Sequence, residues 1–187
     1  MGKIFWLFTI GFIALAMHIS YVLFAPGYFF QHKLNDVTSG KPDNQFYLLA
    51  AEKQSQLYPT ATANDVVGVC KFDLQAGPVV FSAQMPKQYW SVSIYTDSGA
   101  QIYSLDDQQA GSNSFAIDLK RAKTIFELLF AKNDSEDGGQ VENLGWKVES
   151  TDRRGLVIVW VPLSDQLMRS EVEDILKGSS CNAKAGS

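Results

Sequence analysis

Histidine and cysteine are scarce in this chain, with two of each in 187 residues. Cys70 and Cys181 stand far apart, and with two histidines they cannot build a zinc site of the usual four-ligand kind. His32 is the only histidine outside the apolar N-terminus, so a Ser–His or Cys–His nucleophile lacks its base. The sequence has no G-x-S-x-G elbow, no S-x-x-K dyad and no glycine-rich phosphate loop. A basic excess is missing too: the net charge is −4 and the pI near 5.1, which argues against nucleic acid as a partner. No internal repeat is visible.

One local absence says more than these. Residues 4–24, IFWLFTIGFIALAMHISYVLF, contain no charged side chain. At ~1.5 Å per residue this run covers a hydrocarbon core of ~30 Å, so one helix can cross a bilayer once. A helix satisfies its own backbone amides, which lipid cannot do. The competing reading is a secretory signal peptide, whose apolar core runs ~7–15 residues. Here the run is longer, and cleavage after Ala25 would place bulky Leu23 and Pro26 at the cut. A retained anchor over residues 1–27 is expected. Lys3 precedes it and Lys33, Asp36 and Lys41 follow, a charge pattern that favours a cytoplasmic N-terminus.

The rest of the chain is long enough for one domain with a proper core. Pro26–Gly27 is expected to end the membrane helix, with Tyr28, Phe29 and Phe30 as an aromatic belt. A juxtamembrane linker follows over 28–43, then a β-rich domain over 44–181 and a flexible tail over 182–187. Asp43 or Asn44 is placed to cap a helix reaching Leu57, stopped by Tyr58–Pro59.

From Asp65 the apolar period becomes two. Val66, Gly68, Cys70 and Phe72 alternate with Val67, Val69, Lys71 and Asp73. Turns at Gly77–Pro78, Pro86–Lys87 and Asp97–Ser98–Gly99 then predict an antiparallel meander through residues 65–105. A strand is expected over 115–119, a helix over 120–132 and a solvated acidic loop over 133–140. Strands over 146–148 and 156–162 come next; LVIVWVP is apolar on both faces and should be central. Ser164–Asp165 caps a helix over 166–177 that Gly178 stops. The fold class is α+β, mostly β: an antiparallel β-sandwich or barrel-like domain with flanking helices.

Few residues offer chemistry. His18 sits mid-span, where an ionisable group marks a contact with a partner helix or, less simply, a haem or chlorophyll-type ligand. No other cofactor and no metal is expected. The string Tyr95-Thr-Asp-Ser-Gly-Ala100 resembles the active-site turn of retropepsin-like aspartic proteases, in which two copies each supply one carboxylate, here Asp97. The downstream hydrophobic-hydrophobic-Gly strand of that family has no counterpart, and Asp-Ser-Gly is ordinary hairpin chemistry. Tyr89, Tyr95 and Asp106 are candidates for lining a groove on one sheet face. Cys70 and Cys181 either form a bridge, as an oxidising compartment allows, or stay as a buried thiol and a tail thiol.

The segments Ala63-Asn-Asp-Val-Val-Gly-Val-Cys70, Asp73–Leu74 before Gly77–Pro78, Tyr89-Trp-Ser-Val-Ser-Ile-Tyr95 and Arg153-Arg-Gly-Leu-Val-Ile158 carry a resemblance. Together with His18 before Pro26, they resemble small membrane-anchored proteobacterial proteins that share the N-terminal module of larger two-module periplasmic proteins. That family has no known function. The resemblance implies a bacterial inner-membrane protein with a periplasmic β-rich domain, and no activity. The expected role is a non-enzymatic binding or accessory subunit, with the bilayer and another integral membrane protein as partners. The alternative is an envelope enzyme or small-ligand binder near Asp97.

Overall fold

A computed structural model describes residues 2–57, 62, 64–123 and 145–184. Helix α1 runs unbroken over Gly2–Val37, 36 residues with Pro26 inside it, or about 54 Å at ~1.5 Å per residue. Residues 4–24 carry no charged side chain and are nearly all exposed, so it is one helix long and apolar enough to cross a membrane. Thr9 satisfies its hydroxyl on the Phe5 carbonyl 3.0 Å away, one turn back.

Two expectations are corrected here: Pro26–Gly27 does not end the helix, and residues 28–37 are helix rather than linker. A proline removes one backbone bond and crowds the preceding turn. It sits at the end of the apolar run, and the next turns are held by packing. Leu34 and Val37 are buried in a cluster with Leu49, Val67, Val69, Leu156 and Ile158. The helix stops where Thr38 folds its hydroxyl back on the Leu34 carbonyl (2.7 Å) and Gly40 takes a positive φ of 74°. Lys53 reaches the carbonyls of Asp36 and Val37, where the negative end of the helix dipole favours a cation.

Two sheets form the sandwich. The first has strands β1 (Gln45–Leu48), β2 (Asp65–Asp73), β4 (Ser91–Thr96), β5 (Gln101–Asp106) and β8 (Arg154–Pro162), in the order β1-β2-β8-β4-β5. The second has β3 (Val79–Gln84), β6 (Ser114–Arg121), β7 (Gly145–Ser150) and β9 (Ser180–Ala183), ordered β7-β6-β3-β9. Neighbours are antiparallel except β6 and β7, which run parallel. The sheets stay open at their edges, so the architecture is a sandwich and not a barrel.

The predicted meander is only partly present. β4 and β5 form a hairpin, but β2 pairs with β1 and β8, leaving no edge for β3, which crosses to the other sheet. The cause is burial on both faces of β2. Val66, Cys70 and Phe72 point into the sandwich while Val67 and Val69 lie under the stalk. β8 is central for the same reason, with Val157, Val159 and Val161 inside and Leu156 and Ile158 under the stalk.

The helix expected over 44–57 splits into β1 and a short α2 (Ala51–Leu57). Asn44 takes a left-handed φ of 56°, and its side chain brackets the Asp73 backbone at 2.8 and 3.2 Å. That ties residues 45–48 to the edge of β2 instead of to a helix. The predicted stop at Tyr58–Pro59, residues 124–132 of the predicted helix and the acidic loop over 133–140 lie outside the described residues. Lys120 and Arg121 belong to β6, and Asn182 and Ala183 of the expected tail belong to β9.

At the other end of the sandwich, α3 (Asp107–Ala110) is a single turn after β5. Asp165 caps a 3-10 turn over Gln166–Met168, and α4 (Arg169–Lys177) follows. Val172 and Leu176 of α4 are buried in the main core beside Phe81, Trp90 and Ile117. A disulfide joins Cys70 of β2 to Cys181 of β9, linking one sheet to the other across that core.

Gly155 is the second residue of the central strand β8, where there is no room for a side chain. A Cβ there would meet the Tyr95 carbonyl oxygen and the Phe72 ring. Gly155→Ala is expected to destabilise by about 1–3 kcal/mol, read as a lower urea midpoint at unchanged slope. An unchanged midpoint would mean that β4 and β8 separate more easily than their packing indicates.

Candidate functional site

The stalk meets the sandwich at the β4–β5 turn. Gly27 comes so close that a Cβ on it would lie 3.2 Å from the Ser98 carbonyl oxygen. Phe30 packs on Tyr95 with ring centroids 5.8 Å apart. Gly99 adopts φ +87° and faces the Phe30 side chain, so both conformation and space require glycine. Register places the N-terminus of β8 and the C-terminus of β2 at the same end, since Gly155 pairs with Thr96 and Arg154 with Asp73. This end of the domain therefore faces the membrane helix.

A cavity of about 530 Å³ opens there, between Gln31 of the stalk, Asp97 and Ser98 of one turn, and residues 151–154 of the β7–β8 turn. The two turns are bonded together. Asp97 donates its backbone N–H to the Arg154 carbonyl (2.9 Å), and Ser98 donates its own to Asp152 Oδ2 (3.1 Å). Ser150 Oγ donates to the Asp152 carbonyl (2.8 Å), and the hydroxyls of Thr96 and Ser98 are 2.7 Å apart.

Asp73 anchors the far side. Its carboxylate accepts from Arg153 Nε and Nη2 at 2.8 and 2.9 Å and from Arg154 Nε at 3.1 Å. It also caps the following 3-10 turn through the Gln75 N–H at 2.9 Å. Arg153 bonds the Gln75 side-chain oxygen as well. The Arg153 guanidinium, first among these partners, holds the Asp73 carboxyl well below the usual carboxylate range.

That depression fixes a pH dependence. The unfolded carboxyl titrates near ~3.9, above its folded value, so the stabilisation is complete above about pH 4 and fades as pH falls through the folded value. Asp73→Asn is expected to cost about 2 kcal/mol, two half-exposed arginines losing a nearly buried partner. The variant should also lose part of the acid sensitivity in urea titrations between pH 2 and 5. Identical profiles would remove Asp73 from this role.

The proposed groove of Tyr89, Tyr95 and Asp106 does not form. Tyr95 packs under Phe30 of the stalk. Tyr89 lies at the other end of β4, edge-on to Trp160 at 6.0 Å. Asp106 caps α3, accepting from the Gln109 N–H at 2.8 Å. Tyr95 is four positions along β4 from Ser91, the residue opposite Asp106, a separation of ~13 Å at ~3.3 Å per residue.

The bonds of the Asp97 turn are those of a β-hairpin, with Thr96 N–H to Ala100 O at 2.8 Å and Gly99 N–H to Thr96 O at 3.0 Å. His18 stands exposed on α1, well away from this cavity. A second cavity of about 570 Å³ lies at the opposite pole, between the β3–β4 loop at Met85–Gln88, Met168 of the 3-10 turn and Ile175 of α4. Gln31, Asp152, Arg153 and Arg154 escaped the sequence reading as site residues. The charged run Thr151-Asp-Arg-Arg immediately before a buried strand was their signal.

No family model matches the sequence, and no curated protein does. Among solved structures, the chain is similar to the VPA0106 protein from Vibrio parahaemolyticus at 12% identity and a TM-score of 0.58. The match covers 84% of this chain and 36% of that one. An uncharacterised protein from Burkholderia cenocepacia aligns at 12% identity and a TM-score of 0.46, over 87% of this chain and 42% of its own. The Vibrio likeness establishes a shared fold. This chain spans about a third of that protein's length.

Proposed function

We propose that this is a single-pass bacterial inner-membrane protein with a cytoplasmic N-terminus. Its periplasmic β domain serves as a non-enzymatic binding or accessory subunit of a membrane complex. The observation that carries the reading is the unbroken α1. Its exposed apolar turns call for lipid, and its last turns are packed onto the outer face of the first sheet. A stalk of this kind fixes the height and rotation of the domain above the bilayer, as a subunit presenting one face to a neighbour requires.

Two further features support it. The Cys70–Cys181 bridge suits an oxidising compartment. His18, a polar group at mid-span, suits a hydrogen bond to another helix. The resemblance to membrane-anchored proteins of proteobacteria points the same way.

Mild detergent extraction of the full chain tests the proposal. An integral membrane protein should co-purify in fixed ratio and be lost on His18→Leu. A lone monomer without the substitution, or a partner retained unchanged with it, would count against it. The second reading, a small-ligand binder, rests on the cavity beside Asp97.

A further inference from the structure

The cavity between stalk and sandwich lies at a height the helix sets. If residues 4–24 fill the hydrocarbon core, the headgroup layer beyond is ~5–7 Å deep. Gly27, which touches the Ser98 carbonyl, is three residues past Phe24, or ~4.5 Å along the helix. Gln31 is ~10 Å past it. The cavity therefore opens from the headgroup layer upward.

Its lining carries both signs of charge. Asp97, Asp152, Arg153 and Arg154 all line it. Among the described residues, no donor reaches the half-buried Asp97 carboxylate. Arg153 is turned to Asp73, whereas Arg154 gives Asp73 only its Nε–H. A guanidinium has five N–H donors, so Arg154 keeps others for an anion.

We propose that this cavity binds the headgroup of a zwitterionic phospholipid bearing a primary ammonium. Asp97 and Asp152 take the ammonium and Arg154 takes the phosphate. This rests on the reading of α1 as a membrane span. The lining chooses among headgroups. A quaternary ammonium has no N–H to give a carboxylate and prefers aromatic walls, which this cavity lacks. A glycerol headgroup brings no cation to offset the two carboxylates. An ethanolamine headgroup matches both signs.

The test uses the full chain in nanodiscs holding equal parts of ethanolamine, choline and glycerol phospholipids, with retained lipid counted by native mass spectrometry. The ethanolamine lipid should be enriched at least threefold over each of the others. Asp97→Asn should bring it to parity with choline lipid while the unfolding temperature stays within 2 °C. Parity in the wild type, preference for the glycerol lipid, or enrichment unchanged by both Asp97→Asn and Arg154→Gln would overturn the assignment.

Soluble phosphoethanolamine separates the two sources of this chemistry. It should not displace the retained lipid, and displacement at millimolar concentration would assign the cavity to a free metabolite instead. Flotation with choline-lipid vesicles keeps the two proposals apart. Protein that does not float defeats the anchor, whereas floating protein without ethanolamine enrichment defeats only the headgroup site.

Discussion

Replacing both Cys70 and Cys181 with serine is expected to be among the most damaging small changes to this domain. The bridge closes a loop of 111 residues, for which the chain-entropy model gives about 4.7 kcal/mol and typical measurements about 2–4. Its position adds to this. Both cysteines are fully buried, and the bond ties central strand β2 of one sheet to edge strand β9 of the other. β9 is only four residues long and holds the end of the chain after α4. Without the bond it keeps its pairing with β3 and its packing beside β1. The guanidinium midpoint should fall by an amount equivalent to about 2–5 kcal/mol, and a reductant should reproduce that fall in the wild type. If neither treatment moves the midpoint, the bridge does not stabilise the sandwich.

Leu34→Ala should rival it through a different mechanism. Leu34 is 2% exposed although it belongs to the helix that is apolar enough to cross a membrane. It fills a cluster with Val67 and Val69 of β2 and Leu156 and Ile158 of β8, the two central strands of their sheet. Truncating a buried leucine costs about 2–5 kcal/mol, the larger part where the cavity cannot collapse. Here both strands are fixed from the other side by the main core. The loss should fall on docking of the stalk, so trypsin should cut after exposed Lys33 at least tenfold faster while the sandwich still unfolds cooperatively. Unchanged cleavage would show that Phe30, Val37 and Lys53 suffice to hold the stalk.

Much of the fold was legible in the sequence because it depended on local pattern. The charge-free run, the two-residue period from Asp65, the doubly apolar β8 and the Asp165 cap each came from neighbours in the chain. The failures share one cause. Residues 28–37 read as linker because their apolar members, Phe30, Leu34 and Val37, gain a reason to be helical only when a sheet face receives them. Residues 45–48 read as helix because the side chain of Asn44 finds its partner at Asp73, far along the chain. The groove of Tyr89, Tyr95 and Asp106 failed because strand length separates its ends.

The candidate site was the least legible part. Asp97 was visible as a turn residue, but its companions come from the stalk and from a turn more than fifty residues later. Asp73 read as one polar position of an alternating strand, and nothing nearby in sequence announces the two arginines that fold onto it.

By itself, the order of residues decided that one segment prefers oil to water and that the remainder alternates into strands. Both follow from side-chain solubility and backbone geometry acting over a few residues. Only the folded arrangement decided that the greasy rod continues into the domain, that β3 leaves its predecessor's sheet, and that charges of both signs gather beside the stalk. Those outcomes depend on which distant surfaces exclude water from one another, and no short window of sequence contains both surfaces.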